Sequence, residues 1–325
     1  VDFDLYDLSD DQLPEDLNGF LTYLNTIKGK SINTINAYKW DLTMFFKFMK
    51  LYKGLVPKST NFDEIIINDI DSQFIKKIKL MDLYAFISFA ENFRSNGNYA
   101  KARKVSALKS FFKFLHGKAK IISDNPAIEL ETPKLDKRNP VYLTLNESKS
   151  LLAATKESDS QRDFCIITLF LNCGLRLSEL CSIDIPNIKT DTLTIIGKGN
   201  KERTVYLNNA CIRSIESYLP VRNKEQHRII DKNALFISNR FTRINKRTVE
   251  IMVKKYIKKA GLDPEKYTPH KLRHTAATLM YKYGQVDIRS LQKILGHENI
   301  STTQIYTHVD DETLRKAVNS NPLSD

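Results

Sequence analysis

Between His270 and Tyr306 the chain gathers two imidazoles, a guanidinium and a phenol, as His270, Arg273, His297 and Tyr306, in fewer than forty residues. That set looks less like a metal site than like a site for a phosphate. A phenol that attacks a phosphodiester passes through a five-coordinate phosphorus with extra negative charge on its non-bridging oxygens. Arginine suits those oxygens because its guanidinium stays charged and presents a planar fork of donors. Histidine suits proton work because its ordinary pKa is ~6.5. A phenol, with a pKa of ~10, needs a base or a cationic field before it attacks well.

Helices have to position these groups. Leu272, Ala276, Leu279 and Met280 recur at steps of three and four, as do Ile288, Leu291, Ile294 and Leu295, which predicts two helices broken at Gly284. His270 and Arg273, three apart, then share a helix face. Gly296 is expected to stop the second helix and leave His297 at its C-terminal end, while Ser301 caps a short helix carrying Tyr306. Upstream, a helical stretch over Asp163–Ile183 is interrupted at Gly174, beyond which Arg176 and Glu179 stand three apart. Two strand-like runs, 192–196 and 203–207, flank Gly197-Lys198-Gly199-Asn200-Lys201-Glu202 and predict a β-hairpin with a glycine-flanked lysine at its tip. This is not a nucleotide P-loop, because the Gly-Lys-Ser/Thr that opens a helix is missing.

The length of 325 residues exceeds what one core usually supports, so two domains are expected. Residues 1–16 form an acidic arm with seven acids and no Lys or Arg, expected to pack late or stay a solvated terminus. Net charge is +12 overall and −7 in the arm, leaving +19 for the rest, a balance that favours a polyanionic partner. Residues 17–120 read as an all-helical domain, with amphipathic helices over 18–23 and 31–49 and a buried helix over 83–93. A helix over 101–115 buries Val105, Leu108, Phe112 and Leu115 and carries Lys101, Arg103, Lys104 and Lys109 on a flank that suits phosphate contact and a plain solvated surface equally. Residues 51–80 are loop-rich. Prolines and charge over 121–140 predict an extended linker, after which Thr144 and Glu147 form a helix-starting capping box. Arg240, Arg243 and Arg247 form a second basic cluster, and Lys201 is a further candidate for DNA contact. Cys165, Cys173, Cys181 and Cys211 have no CxxC spacing and are expected as small core hydrophobes, not as a zinc or disulfide framework. No apolar run approaches the ~18 residues of a membrane span, so a cytoplasmic protein is expected.

Taken in order, Cys173-Gly174-Leu175-Arg176-Leu177-Ser178-Glu179-Leu180, Gly197-Lys198-Gly199-Asn200-Lys201-Glu202-Arg203, His270-Lys271-Leu272-Arg273-His274, Leu295-Gly296-His297 and Tyr306 resemble the tyrosine site-specific recombinases, the Xer-like branch of the lambda integrase family. The resemblance covers nearly the whole chain past residue 16. It implies a mainly α fold, with a helical core-binding domain over 17–120 and a mixed, mostly helical catalytic domain with a small antiparallel sheet over 141–325, ending in a tail helix from about residue 309. It implies Tyr306 as nucleophile, Arg176 and Arg273 as the clamp, His297 as a further donor to the same oxygens, and His270 for the nucleophile's proton. Lys198 matches the general acid for the leaving 5′-oxygen, with Lys201 as its rival. Glu179 is expected behind these groups, orienting Arg176 or a neighbour. Among the other tyrosines, Tyr267, Tyr281 and Tyr283 do not follow Leu-Gly-His by nine residues as Tyr306 does.

The implied reaction cuts one strand per site, stores the bond energy in a 3′-phosphotyrosine, exchanges strands through a Holliday junction and religates, with no metal, ATP or other cofactor. It would serve DNA integration and excision or chromosome and plasmid dimer resolution. The implied partners are a double-stranded recombination site, a homotetramer or heterotetramer exchanging C-terminal tails on synapsed DNA, and accessory proteins in the bacterial nucleoid. A relaxing, topoisomerase-like activity shares the chemistry, and a DNA-binding module without cleavage is the reading from another class. The start at Val1 suggests a native first residue upstream, and no separate arm-binding domain is expected.

Overall fold

In the computed structural model, residues 11–94, 96–134, 140–196, 202–224, 226–284 and 286–296 are described. The chain divides into two compact units, Val1–Lys137 and Arg138–Asp325.

The first unit is helical throughout its described secondary structure. It runs α1 (Glu15–Thr26), α2 (Ile32–Tyr52), a 3₁₀ turn (Phe62–Glu64), α3 (Ser72–Lys76), α4 (Leu80–Asn92) and α5 (Asn98–Gly117). Ser31 caps α2, its side chain accepting from the Thr34 N–H. The core is aromatic: Phe20, Phe45, Phe46, Phe86, Phe111 and Phe112 are fully buried, and Phe45 meets Phe86 edge-to-face at a centroid distance of 5.2 Å. Three expectations change here. The acidic arm is shorter than sixteen residues, because α1 starts at Glu15 and both Leu13 and Leu17 lie in this core. The helix expected to be buried over 83–93 is two-faced: Leu83, Phe86 and Ala90 are buried against the bundle, but Met81 and Phe93 are exposed. The linker also starts later than residue 121, since Ile122, Ala127 and Leu130 are buried in the first core.

The cationic flank of α5 needs a correction as well. Lys101 and Lys104 are buried, not solvated; Lys104 Nζ donates to Asp41 Oδ1 at 2.7 Å and Lys101 Nζ to Glu91 Oε1 at 2.6 Å. Their stems run inward because an acidic partner on a neighbouring helix compensates the buried ammonium. Arg103 is exposed and pairs with Asp41, and Lys109 is half-buried.

The second unit holds α6 (Leu145–Lys156), α7 (Gln161–Cys173), α8 (Leu177–Cys181), β1 (Thr192–Ile196), β2 (Glu202–Tyr206), α9 (Asn209–Asn223), α10 (Lys246–Lys259), α11 (Pro269–Gly284) and α12 (Ile288–Leu295). The Thr144–Glu147 capping box is formed: Thr144 Oγ1 accepts the Glu147 N–H at 3.2 Å, and Glu147 Oε2 accepts the Thr144 N–H at 2.7 Å. β1 and β2 pair antiparallel, with Leu193 opposite Val205 and Ile196 opposite Glu202. Alternation puts Leu193, Ile195 and Val205 into the core. The helix α7 forms the centre of this unit, nearly all of its side chains from Cys165 to Cys173 being buried. All four cysteines are buried free thiols. Among the described residues the fold is therefore mainly α with one small antiparallel sheet, as the sequence predicts.

Candidate active site

Two glycines shape the site. Gly174 ends α7 in the left-handed conformation at φ +60°, and Gly296 ends α12 in the same way at φ +63°. Both are also points of close approach: a Cβ on Gly174 would lie 2.8 Å from Leu295 Cδ2, and one on Gly296 would lie 2.7 Å from Arg203 Cδ. The left-handed turn at Gly174 ends α7, and two residues on Arg176 stands as the N-cap of α8.

Around these turns three arginines gather on one carboxylate. Glu179, only 3% exposed, accepts the Arg176 backbone N–H at 2.7 Å and Arg176 Nη1 at 2.7 Å. Arg203 Nη2 donates at 3.0 Å to Oε2, the oxygen that also accepts the Arg176 backbone N–H, and Arg273 Nη1 lies 3.7 Å from the same oxygen. Burial alone would raise the Glu179 carboxyl, but the Arg176 N–H, the Arg203 charge and the Arg176 side chain together hold it below the usual carboxylate range.

The same three guanidiniums reach the C-terminal carbonyls of α12, which have no partner inside the helix. Arg203 Nη1 donates to the Ile294 carbonyl, Arg273 Nη2 to the Leu295 carbonyl at 2.7 Å, and Arg176 Nη2 to the Gly296 carbonyl at 2.8 Å. Arg273 Nη1 also donates to the Gly174 carbonyl at 2.7 Å, so it ties the ends of α7 and α12 together. Cations at a helix C-terminus are also favoured by its partial negative charge. Three guanidiniums against one carboxylate leave a formal charge of +2, fixed in place before any ligand arrives. The side chain of Arg176 is 40% exposed and that of Arg273 only 3%, so Arg176 is the more open of the two.

His270, one turn before Arg273 on α11, meets His274 with the two Nε2 atoms 3.0 Å apart. Burial, with the charges of Lys271, Arg273 and Arg176, pushes the His270 imidazole below its ordinary range. His274 and Arg203 are the two neighbours of the site to which sequence analysis assigns no role, although both stand inside the matched motifs. Neither has a signal of its own; each is recognised by its contacts. Tyr267, one of the alternative phenols, is 3% exposed with its hydroxyl 3.3 Å from Glu147 Oε1.

Of the expected site residues, the structure thus brings together Arg176, Glu179 and Arg273, with His270 on the same helix as Arg273. Lys198, Lys201, His297, Tyr306, the Ser301 cap and the tail helix lie outside the described residues. Arg243 is bonded to Asp184 Oδ1 and Asp231 Oδ2 and lies 3.3 Å from the Cys181 and Ile183 carbonyls, so it braces its own domain. Arg240 and Arg247 remain on the surface. Among the described residues no His, Cys, Asp and Glu cluster suits a metal, and no helix is long and apolar enough to cross a membrane.

Comparison with known proteins agrees with this arrangement. The phage integrase family model matches residues 141–313. The tyrosine recombinase XerC of Caldanaerobacter subterraneus subsp. tengcongensis is 58% identical over 311 residues, spanning 96% of this chain and 88% of that protein. The tyrosine recombinase XerA of Pyrococcus horikoshii is 34% identical over 308 residues, spanning 93% and 92%. A crystal structure of XerH recombinase bound to its difH substrate before cleavage shares the fold, with a TM-score of 0.68 at 23% identity over 96% of this chain and 91% of that one. With five motifs in order, three of them assembled around Glu179, the chain belongs to the phage integrase family and is a Xer-like tyrosine recombinase, a site-specific DNA strand-transferring enzyme that works through a covalent intermediate.

Proposed function

We propose that Tyr306 is the nucleophile of this enzyme and that Arg176 and Arg273 hold the non-bridging oxygens of the phosphate it attacks. The phenolate oxygen forms a bond to phosphorus as the bond to the 5′-oxygen breaks. His270 takes the phenol proton, and Lys198 protonates the leaving 5′-oxygen. His297 adds a hydrogen bond to the oxygens held by the arginines. A 3′-phosphotyrosine and a free 5′-hydroxyl result, and attack by a second 5′-hydroxyl reverses the steps on a new partner strand. The energy of the broken bond is kept, so neither ATP nor a metal enters the balance.

The observation that carries this reading is the net +2 cluster of Arg176, Arg203 and Arg273 around buried Glu179. Oriented charge stabilises a developing dianion without reorganisation during the reaction. The helical unit before residue 138, with Arg103 and Lys109 on α5, serves as the core-binding part. Arg240, Arg247 and Lys201 add phosphate contacts from the catalytic part. The working assembly is a tetramer on two synapsed double-stranded sites, with tail exchange after Tyr306, in the cytoplasm at the nucleoid.

Nicked suicide DNA carrying candidate sites tests the chemistry. A denaturing gel should show a protein–DNA adduct that the Tyr306→Phe variant does not form. An adduct that persists in Tyr306→Phe assigns the nucleophile elsewhere; no adduct on DNA that the protein binds, even with candidate partner subunits added, removes the cleavage reading.

A further inference from the structure

Arg203 is the second residue of β2, opposite Ile195, and its side chain is only 14% exposed. Its stem lies directly on the backbone of Gly296, where a Cβ would come within 2.7 Å of Cδ and 2.8 Å of Nε. Its two terminal nitrogens divide their work. One donates to the Ile294 carbonyl, and the other to Glu179 Oε2 at 3.0 Å. That same Glu179 oxygen accepts the Arg176 backbone N–H, while its twin accepts Arg176 Nη1.

We propose that Arg203 is a positioning residue for strand cleavage, a guanidinium that fixes Glu179 and the end of α12 together and thereby sets the direction in which Arg176 presents its donors. This rests on the reading of Arg176 as a phosphate clamp. A surface ion pair would have no such consequence, because its partners could relax into water. Here the carboxylate is buried, both of its oxygens are engaged, and Arg176 has the Gly296 carbonyl as a second fixed acceptor. Removing Arg203 frees one side of Glu179 and leaves the Ile294 carbonyl without this donor. Glu179 can then rotate toward Arg176 or Arg273, and the angle between Arg176 and the phosphate is no longer determined. Arg203 does not touch the reacting atoms in this account; it acts through Glu179 and Arg176. Lysine at this position has one ammonium where two divergent donors are needed, and so recovers only part of the function.

The test measures single-turnover adduct formation on nicked suicide DNA for Arg203→Ala, Arg203→Lys, Arg176→Ala and Glu179→Gln. It uses DNA with either an ordinary phosphate or a methylphosphonate at the scissile position, and records DNA affinity and thermal unfolding for each variant. On phosphate, Arg203→Ala should be slower by about 10- to 100-fold, the range for groups that orient a reactive partner. Arg203→Lys should fall between it and the parent. The methylphosphonate removes the charge that the clamp neutralises, so the losses in Arg176→Ala and in Arg203→Ala should shrink together. Combined with Glu179→Gln, Arg203→Ala should add little further loss on phosphate. If the Arg203→Ala loss is the same on both substrates while that of Arg176→Ala shrinks, or if it multiplies with Glu179→Gln, Arg203 does not act through the clamp and the proposal is overturned. An unchanged rate in Arg203→Ala overturns it too. If Arg176→Ala itself fails to shrink, the clamp reading falls and this inference with it. Should Arg203→Ala fail to fold, the comparison of Arg203→Lys on the two substrates makes the same distinction.

Discussion

Glu179→Gln is the substitution for which the structure predicts most. The carboxylate is 3% exposed and accepts three hydrogen bonds, from the Arg176 N–H, Arg176 Nη1 and Arg203 Nη2. Glutamine keeps the shape, but replaces one acceptor oxygen by an NH2 that must face an arginine donor. At least one charge-assisted bond is lost, the remaining ones lose the charge on their acceptor, and the three guanidiniums lose their counter-charge. Charge-assisted bonds contribute about 1.5–3 kcal/mol each, and breaking a fully buried pair costs about 3–5 kcal/mol. Arg176 is partly open to water, which lowers the figure, so about 2–4 kcal/mol is expected. In a unit of this size that is a fall of roughly 5–15 °C in the unfolding temperature, read by calorimetry on the transition of the second unit. The pH dependence carries its own sign. The folded carboxyl is held below its unfolded value of ~4.3, so its contribution is complete above that value and is lost as pH falls through the folded one. The gap between parent and Glu179→Gln should therefore be full at pH 7 and close below about pH 4. A variant as stable as the parent at pH 7, or a gap that persists undiminished in acid, would refute the placement of a charged Glu179 at the centre of the arginines.

Three further outcomes follow from other parts of the molecule. Since burial and the neighbouring Lys271, Arg273 and Arg176 charges lower the His270 pKa, the acid limb of the cleavage-rate profile should have its midpoint below the ordinary ~6.5; an NMR titration of the imidazole gives the same midpoint directly, and a value above 6.5 contradicts the assignment. Gly174→Ala and Gly296→Ala should each destabilise by about 1–3 kcal/mol, because both glycines are left-handed and crowded, whereas Gly19→Ala, inside α1 with nothing within 4 Å, should stabilise by about 0.5–1 kcal/mol in denaturant titrations. Lys104→Ala should cost about 2–3 kcal/mol by removing the buried one of Asp41's two cationic partners, Arg103 being the other, yet leave the salt dependence of DNA binding unchanged; Lys109→Ala should be nearly neutral in stability and reduce the slope of log affinity against log salt by about 1.

What the sequence disclosed is what has a period or a cap. The helices α2, α11 and α12, the Thr144–Glu147 box, the strand pair around the Gly-Lys-Gly motif and the left-handed stops at Gly174 and Gly296 all depend on neighbours within a few positions. Local rules therefore find them. The fate of Lys101 and Lys104 depends on Glu91 and Asp41, the second 63 positions away, and a helical wheel does not see such partners. Nor does it see that Ile122, Ala127 and Leu130, too widely spaced to form a stripe, still enter the first core. At the site, the positions of Arg176, Glu179, His270 and Arg273 were readable through family resemblance. The part of Arg203 was not, because its partners Glu179 and Ile294 lie 24 and 91 positions away and on different elements.

That long-range closure explains why a single carboxylate can serve three arginines without neutralising the site. If Glu179 were exposed, water would screen it and each arginine would choose its own direction. Buried, it fixes Arg176 and Arg203 and lies 3.7 Å from Arg273, while the carbonyls of Ile294, Leu295 and Gly296 take up the other donors. The carbonyls are dipoles and not charges, so they orient the guanidiniums and leave the surplus positive charge in place. The chain position that follows Gly296 is His297, and Tyr306 comes nine residues later. The three arginines thus hold the C-terminal end of α12, and in the proposed reading the same side chains stabilise the phosphate that Tyr306 attacks. A mutation in any one of them should therefore disturb phosphate stabilisation and the end of α12 together, so that Arg176→Ala and Arg273→Ala, combined, lose less activity than the product of their separate losses in the adduct assay.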